Sequence, residues 1–509
     1  MDPKFWIFLS IVWGCNGSKN YPPDAPSDET ECSRRMNYLT DNHLQTQIIF
    51  PPQLTGKWVS DRCEVRTGPL YLLRSYTFYP NNTFHLLQYF YADEFCSYIT
   101  HVVSIKGYYT YKDVVSSKLY YKATRITITP HDYPYLHSLP SVVSPECPEN
   151  VAKYWKNFKE HVVLEQTQKT PEPLEDNTWP IRTTIPYTRN SKKAVSEFEC
   201  LSSLNISYDE LSSIRVQRRP SIDEKNARYE LLLGSSYQEK ERETTLLKFQ
   251  LPLILLNETS DCYVCNVISK KTNMHTPVLT ARPTLPLYFN GQWISQTCEP
   301  RSKGLHTIRS YRFNQYDSTW ELETKYYNNY ACSSLLMIHT TLGHYIQGGA
   351  SETVSGATEI AFRIEKSYLT IVDQTILNEI ETDPECGVAY YWKLNVRKEI
   401  PSKQGCPSIG LANPALRYDI IKLDLDYYHG SGNGSTYILL LGDEGSMDTR
   451  NKFARPTAFE YPVMQCDNEP QDIIDDSESD SDTEPSSAFA IRSEILNVFW
   501  IILVVALRV

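Results

Sequence analysis

The chain has 509 residues and a formal net charge of −11, from 50 Lys and Arg against 61 Asp and Glu. Nine of those acids lie between Asp467 and Glu484, where no Lys or Arg occurs, so −11 becomes about −2 for the remainder. A near-neutral body of this kind lacks the basic excess that binding a phosphate backbone requires, and nucleic acid is not an expected partner.

In chain order, residues 1–17 read as a signal peptide: Lys4, an apolar run from Phe5 to Trp13, then small residues from Gly14 to Gly17. Cleavage removes Cys15 and leaves twelve of the 13 cysteines, an even number that in a secretory context predicts disulfides. Asn81, Asn205, Asn257 and Asn433 each begin a glycan-acceptor triplet.

The sequence then repeats. GKWVSDRCEVR at Gly56–Arg66 returns as GQWISQTCEPR at Gly291–Arg301, and RSYTF at Arg74 returns as RSYRF at Arg309, at an offset of 235. From Thr83/Thr319 through Gly107/Gly343 the offset is 236, the mark of one inserted residue. PEC at Pro145 and Pro384, YELLLG at Tyr229 with YILLLG at Tyr437, and FQLPL at Phe249 with FEYPV at Phe459 extend the match. Solenoid units run roughly 20 to 50 residues, so this period means a duplicated globular domain. The layout expected is a first repeat over 28–270, a Pro-interrupted linker over 271–286 and a second repeat over 287–466.

Within the second copy, Trp320, Leu322 and Tyr326 alternate with Glu321, Glu323 and Lys325, the pattern of a half-buried strand. Its counterpart puts Phe84, Leu86 and Phe90 on the inner face but also Leu87, Tyr89 and Tyr91 on the outer one. That outer flank needs a cover from the sister domain, from the N-terminal segment or from a partner. Asp373 is a suitable N-cap for a short helix carrying Ile376, Leu377 and Ile380. A Pro-rich polar insertion around Glu165–Lys193 predicts an exposed loop. The fold class expected is all-β with minor helices: two tandem, duplicated, antiparallel β-barrel-like domains, disulfide-linked.

Cysteine parity carries a consequence. The first repeat holds seven (Cys32, Cys63, Cys96, Cys147, Cys200, Cys262, Cys265) and the second five (Cys298, Cys332, Cys386, Cys406, Cys466), so full oxidation requires at least one bridge between repeats. Equivalent spacing suggests Cys63 with Cys96, Cys298 with Cys332, Cys147 with Cys200 and Cys386 with Cys406. The cross-link then falls among Cys32, Cys262, Cys265 and Cys466. Cys262-Tyr263-Val264-Cys265 has neither the further ligands of a zinc site nor the βαβ setting of a redox motif, and reads as structural. No metal or cofactor is expected.

Arg74 alternates onto the face of Tyr76 and Phe78, and Arg309 onto that of Tyr311 and Phe313. An inward Arg needs partners: Glu64 and Glu299 for ion pairs, and Trp58 and Trp293 for cation–π contact, together closing one barrel end much as the GxW and Arg of lipocalin barrels do. The set is either a structural plug or a ligand contact. A closed barrel of about eight strands can hold one small ligand. No GxSxG, HExxH or Walker pattern occurs, and no catalytic residues are assigned.

The acidic, Ser-rich stretch 467–487 has too little apolar surface to fold and reads as a disordered stalk. Ile495–Leu507 falls short of the about 20 residues of a membrane span. Ser486-Ser487-Ala488, a spacer and an apolar tail match a glycolipid-anchor signal, so 488–509 is either that signal or a short single-pass anchor. Both place the chain on the outer face of the plasma membrane.

GKWVSDRCEVRTGP followed by RSYTFYPNNTF, repeated as GQWISQTCEPR and RSYRF with the paired PEC and LLLG anchors, resembles the adenomatosis polyposis coli down-regulated 1 family from about Cys32 to Cys466. The resemblance implies a cell-surface glycoprotein that antagonises Wnt signalling by binding Wnt ligand and its co-receptor. Wnt proteins carry a fatty acyl group, which gives an apolar barrel interior a use. Phe84, Leu86 and Phe90, with Tyr76 and Phe78, are the candidate acyl contacts, each buried methylene supplying about 0.8 kcal/mol. A solid core, a lipocalin-like carrier and an adhesion protein are the alternatives. The second copy has Tyr316-Asp317-Ser318-Thr319 where the first has Asn81-Asn82-Thr83, so that acceptor triplet is lost.

Overall fold

The structure, a computed structural model, describes residues 31–40, 46–111, 119–145, 147, 155–166, 199–219, 227–234, 250–256, 262–301, 304–388, 390–401, 405–412, 414–426, 436–443 and 451–467. The signal peptide, most of the Pro-rich insertion, Asn257, Asn433, most of the stalk and the C-terminal tail lie outside these residues. Among the described residues no helix is long and apolar enough to cross a membrane.

The first repeat supplies β1 (Gln47–Ile48), β2 (Gly56–Val59), β3 (Glu64–Arg66), β4 (Leu70–Phe78), β5 (Thr83–Tyr91), β6 (Ile99–Tyr111), β7 (Leu119–Pro130), β8 (His161–Glu165), β9 (Ile214–Arg219), β10 (Arg228–Leu233) and β11 (Leu253–Leu255). They form an antiparallel sheet in the order β1-β9-β10-β11-β2-β4-β5-β6-β7-β8, with β3 paired to β4. The second repeat supplies β12 (Gly291–Ser295), β13 (Glu299–Pro300), β14 (His306–Asn314), β15 (Thr319–Tyr327), β16 (Leu335–Ala350), β17 (Thr358–Ile371), β18 (Arg397–Glu399), β19 (Gly405–Cys406), β20 (Leu411–Ala412), β21 (Leu416–Asp426), β22 (Thr436–Leu441) and β23 (Val463–Asp467). Here, among the described residues, β12 pairs with both β23 and β14, which closes an eight-stranded antiparallel barrel through β15, β16, β17, β21 and β22. The inserted residue that shifts the repeat offset falls in the β14–β15 hairpin. Asn82 and Ser318 both adopt a left-handed φ of 59° there, just after Asn81 and Asp317, whose side chains accept from Thr83 and Thr319 in the same way.

The two sheets differ at one flank. In the second barrel, Thr358–Arg363 of β17 pair with Leu416–Ile421 of β21. Among the described residues of the first repeat, no backbone pairing joins β7 to β9; β7 instead meets a 3-10 turn at Asp209–Ser212, with the Tyr121 and Tyr208 rings edge to face at 5.8 Å. Inside, the first repeat has one continuous apolar cluster that includes Phe78, Phe84, Ile105, Ile128, Leu204 and Ile214. The second has two, one around Trp293, Phe313, Trp320 and Phe362, the other around Met337, Leu369, Ile371 and Trp392. Buried Arg309, Thr324, Thr341 and Ser367 occupy the inner face between them.

The α-helices include α1 (Glu31–Thr40), α2 (Tyr133–Val142), α3 (Tyr263–Ser269) and α4 (Gln374–Glu381), and residues 199–203 are also helical. Only α4, capped by Asp373, had a clear sequence signal. α3 lies on the apolar outer flank of the first barrel, where Cys265 and Ile268 pack with Leu73, Leu87, Tyr89 and Tyr91. α1 does the same for the second barrel, setting Met36 and Leu39 against Ile294, Ile308, Ile438 and Met464. α1 therefore covers the repeat it does not belong to, whereas α3, at the end of the first repeat, covers its own.

All twelve cysteines among the described residues are paired. Cys32 of α1 bonds Cys466 of β23, Cys262 bonds Cys265, and the others join as Cys63–Cys96, Cys147–Cys200, Cys298–Cys332 and Cys386–Cys406. The barrels also meet directly. Val354 and Ala357 pack with Val65, the Ser355 amide donates to the Tyr71 hydroxyl at 2.9 Å, and Arg215 lies 3.0 Å from His306. Tyr71 and His306 are repeat equivalents, but their partners are not: Ser355 lies between β16 and β17, and Arg215 lies in β9. Non-reducing peptide mapping should recover Cys32 joined to Cys466. Replacing both with Ala should lower unfolding stability by about 2 to 5 kcal/mol, as for other long loops, and an unchanged denaturant midpoint would count against this strap.

Candidate functional site

The strand registers build the same charged plug in both repeats. β2 and β12 pair with β4 and β14, placing Trp58 opposite Tyr76 and Trp293 opposite Tyr311. Each indole N–H donates to a carbonyl oxygen four residues earlier, Leu54 at 2.7 Å and Phe289 at 2.8 Å, which locks the ring into the barrel end. A bulge at Gly107 and Gly343 makes room for the neighbouring strand: a β-carbon would lie 2.2 Å from the Lys122 carbonyl oxygen or 2.1 Å from that of Arg363.

Arg74 is fully buried and pairs with Glu64 at 2.8 Å, while Arg66 reaches Glu210 at 3.1 Å and Arg74 reaches it at 3.7 Å. Arg309 pairs with Glu299 and with Glu460, each at 2.9 Å, and Arg301 reaches the same two carboxylates at 2.8 and 2.9 Å. Two guanidinium groups against two carboxylates leave each cluster neutral, the condition for keeping charge out of water. Burial alone would push the Glu210 carboxyl up, but Arg66 and Arg74 overcome it and hold it below the usual range. Burial likewise opposes the charge on Arg74 and Arg309, and their carboxylate partners raise both above the ordinary value. The second carboxylate comes from different places: Glu460 precedes β23, its equivalent in the first repeat is Gln250, and Glu210 of the 3-10 turn fills the role there.

The ring beside each guanidinium is a tyrosine, Tyr76 at 5.8 Å and Tyr311 at 5.9 Å, and not Trp58 or Trp293. The indoles face inward without lying over the charge. The Tyr76 hydroxyl donates to Glu210 and accepts from Gln88 at 2.8 Å, so Tyr76 belongs as much to the polar cluster as to the apolar lining.

Phe78, Phe84, Leu86 and Phe90 are all buried on the inner face of the first barrel. Phe78 stands edge to face with Tyr109 at 5.5 Å, and Phe90 stacks on His101, which stacks on Tyr135 of α2. The same cluster takes in Leu201, Leu204, Ile206 and Tyr208, from the segment that Cys147–Cys200 ties down. Sequence reasoning missed that segment. Its apolar residues, spaced two or three apart directly after Cys200, were the available signal.

Several imidazoles sit in this framework held neutral. Burial, with some help from His131, pushes His101 down to about 3; burial and Lys106 push His85 to about 4; burial and Arg417 push His339 to about 4. Among the described residues no group of His, Cys, Asp and Glu could hold a metal ion.

Two antiparallel β-barrel-like repeats, braced by six disulfides and plugged by buried ion clusters, suggest a binding protein. A family model described as Adenomatosis polyposis coli down-regulated 1 matches residues 31–280 and again residues 281–475, and the chain belongs to that family. Membership is consistent with a Wnt-antagonist role at the cell surface, and the disulfides fit an oxidising, extracellular location.

Two outcomes follow for stability. Arg309→Met leaves two buried carboxylates sharing the Arg301 guanidinium alone, one uncompensated buried charge, and should cost about 3 to 5 kcal/mol in chemical unfolding, whereas a loss under about 1 kcal/mol would show the cluster to be solvated. The histidines set a pH dependence. Folded, they stay neutral down to about 3 to 4, while in the unfolded chain they protonate near about 6.5, so the unfolded state binds more protons as pH falls. Their contribution is complete above about pH 6.5 and declines towards pH 4. His101→Phe should flatten that decline in urea titrations, and an identical slope for the variant would contradict it.

Proposed function

We propose that this chain is an extracellular, membrane-anchored antagonist that captures a Wnt ligand by taking its fatty acyl group into the first barrel, with the second barrel available to the co-receptor. The observation that carries the choice of barrel is the seam between β7 and β9, where backbone pairing is missing among the described residues and Tyr109, Leu119, Tyr121, Ile206 and Tyr208 are buried side by side. An acyl chain passing there reaches Phe84, Leu86 and Phe90 without breaking a strand pair. The second barrel is closed by hydrogen bonds, and a buried polar layer divides its interior.

Room comes from displacing the segment after Cys200. Re-exposing Leu204 and Ile206 opposes uptake, and the methylenes of a long acyl chain, at about 0.8 kcal/mol each, offset it. Asn81 at the β4–β5 hairpin tip and Asn205 are exposed, as glycan acceptors must be. The tail 488–509 would tether the protein, by a glycolipid or a short span.

Capture assays with acylated and acyl-free Wnt test this reading. The purified ectodomain should retain only the acylated form, and Tyr121→Arg, which puts a charge in the seam, should weaken capture at least about tenfold, or about 1.4 kcal/mol. Equal capture of both forms would overturn the acyl mechanism. Native mass spectrometry that finds a free small lipid but no Wnt complex would favour a lipocalin-like carrier instead.

A further inference from the structure

The register of the first sheet sets Lys57, Thr77, His85, Lys106 and Arg125 side by side across β2, β4, β5, β6 and β7. Their strand neighbours Trp58, Phe78, Phe84, Ile105 and Ile126 are core residues, so the row faces outward. Neighbouring strands lie about 4.8 Å apart, which gives the row a length of roughly 19 Å. The next row, Val59, Ser75, Leu87, Ser104 and Thr127, is buried. The basic row thus follows the border of the covered strip.

Two loops flank the row and add cations. Lys57 donates to the Ser269 carbonyl oxygen at 2.6 Å, at the end of α3 and next to exposed Lys270. Exposed Lys156 and Lys159 precede Glu160, which lies 3.7 Å from Arg125 and accepts from Asn273 at 3.3 Å, so the two loops meet over the sheet. Glu160 and Glu165 are the carboxylates paired with Arg125. Lys106 also contributes, after burial, to the lowered pKa of His85, as a positive local field would.

The second repeat is an internal control. Its equivalent row is Gln292, Arg312, Glu321, Leu342 and Lys366, with Arg312 and Glu321 paired at 3.2 Å, much as Arg125 pairs with Glu165, but with Gln292 and Leu342 where the first row has Lys57 and Lys106. The fold does not demand a basic row at this place.

We infer that this outer face of the first barrel docks a linear sulfated polysaccharide of the glycosaminoglycan class. The exposed ammonium groups of Lys106, Lys156, Lys159 and Lys270, spread over a shallow face, suit a chain of repeated sulfates, which binds along its length and releases counterions, better than a single enclosed anion. On β7 the row passes through outward-facing Arg125, whereas the seam residue Tyr121, four positions earlier, belongs to the core. The inference does not rest on acyl uptake.

Heparin-affinity chromatography of the secreted protein and binding of a size-defined heparin oligosaccharide over a NaCl series test it. The wild type should be retained at about 0.15 M NaCl, a physiological ionic strength. Lys106→Glu with Lys156→Glu and Lys159→Glu should raise the dissociation constant at least about tenfold and reduce the salt slope by about one per lost contact. Lys366→Glu, on the matching row of the second barrel, should leave both unchanged. If the triple variant is not secreted, Lys156→Ala with Lys159→Ala should still lower the elution salt. Flow-through of the wild type, an equal shift for Lys366→Glu, or binding only to phosphatidylserine vesicles would each overturn the inference.

Discussion

Each barrel has an apolar strip on its outside, and that strip must be covered for the protein to stay soluble and singly folded. The cover comes from a helix in each case. α3, at the end of the first repeat, closes the first strip, and α1, at the start of that repeat, closes the second. Ten residues make α1 too short to persist alone in water. Met36 and Leu39 hold it by packing, and the bond from Cys32 to Cys466 fixes it to the last strand. The two repeats become one unit because α1 crosses to the second barrel, with the Tyr71 and His306 contacts as a secondary seal.

Within that frame the two copies have diverged in what they enclose. Both keep a neutral cluster of two arginines and two carboxylates, since removing any member would leave a buried charge. The second copy draws its last carboxylate from Glu460 and closes its wall by pairing β17 with β21. The first draws it from Glu210, on a turn that stands where the wall would otherwise close. Relocating one carboxylate thus goes with opening a seam, and the seam gives onto an undivided apolar interior. The outer surfaces diverge as well, with a basic row on the first barrel and, on the second, Gln292 and Leu342 where that row has Lys57 and Lys106.

Much of the architecture was legible in the sequence because it depends on short-range pattern. The duplicated GxW, RSY and LLLG segments marked two β-rich copies, alternation at Thr319–Tyr327 marked strands, and odd cysteine counts required a bond between repeats. Glu64 and Glu299 stood out because an inward Arg lies ten residues on in both copies. What could not be read depends on long-range register. α1 and α3 carry few helix signals, and packing on a distant strip stabilises them. Glu210 lies in a stretch with no counterpart motif, and the basic face joins lysines from four separate segments, at Lys57, Lys106, Lys156 with Lys159, and Lys270, that a near-neutral overall balance conceals. The Trp58 and Trp293 cation–π contact was misplaced because alternation identifies a shared face but not which ring on it meets the charge.

Hydrogen–deuterium exchange of the intact ectodomain, with and without a fatty-acylated Wnt peptide, addresses the central claim most directly. The account predicts that ligand changes exchange in β7 and in the segment from Cys200 to Ser212, and leaves β17 and β21 as they were. Protection confined to the second barrel, or no change at the seam under saturating ligand, would contradict it.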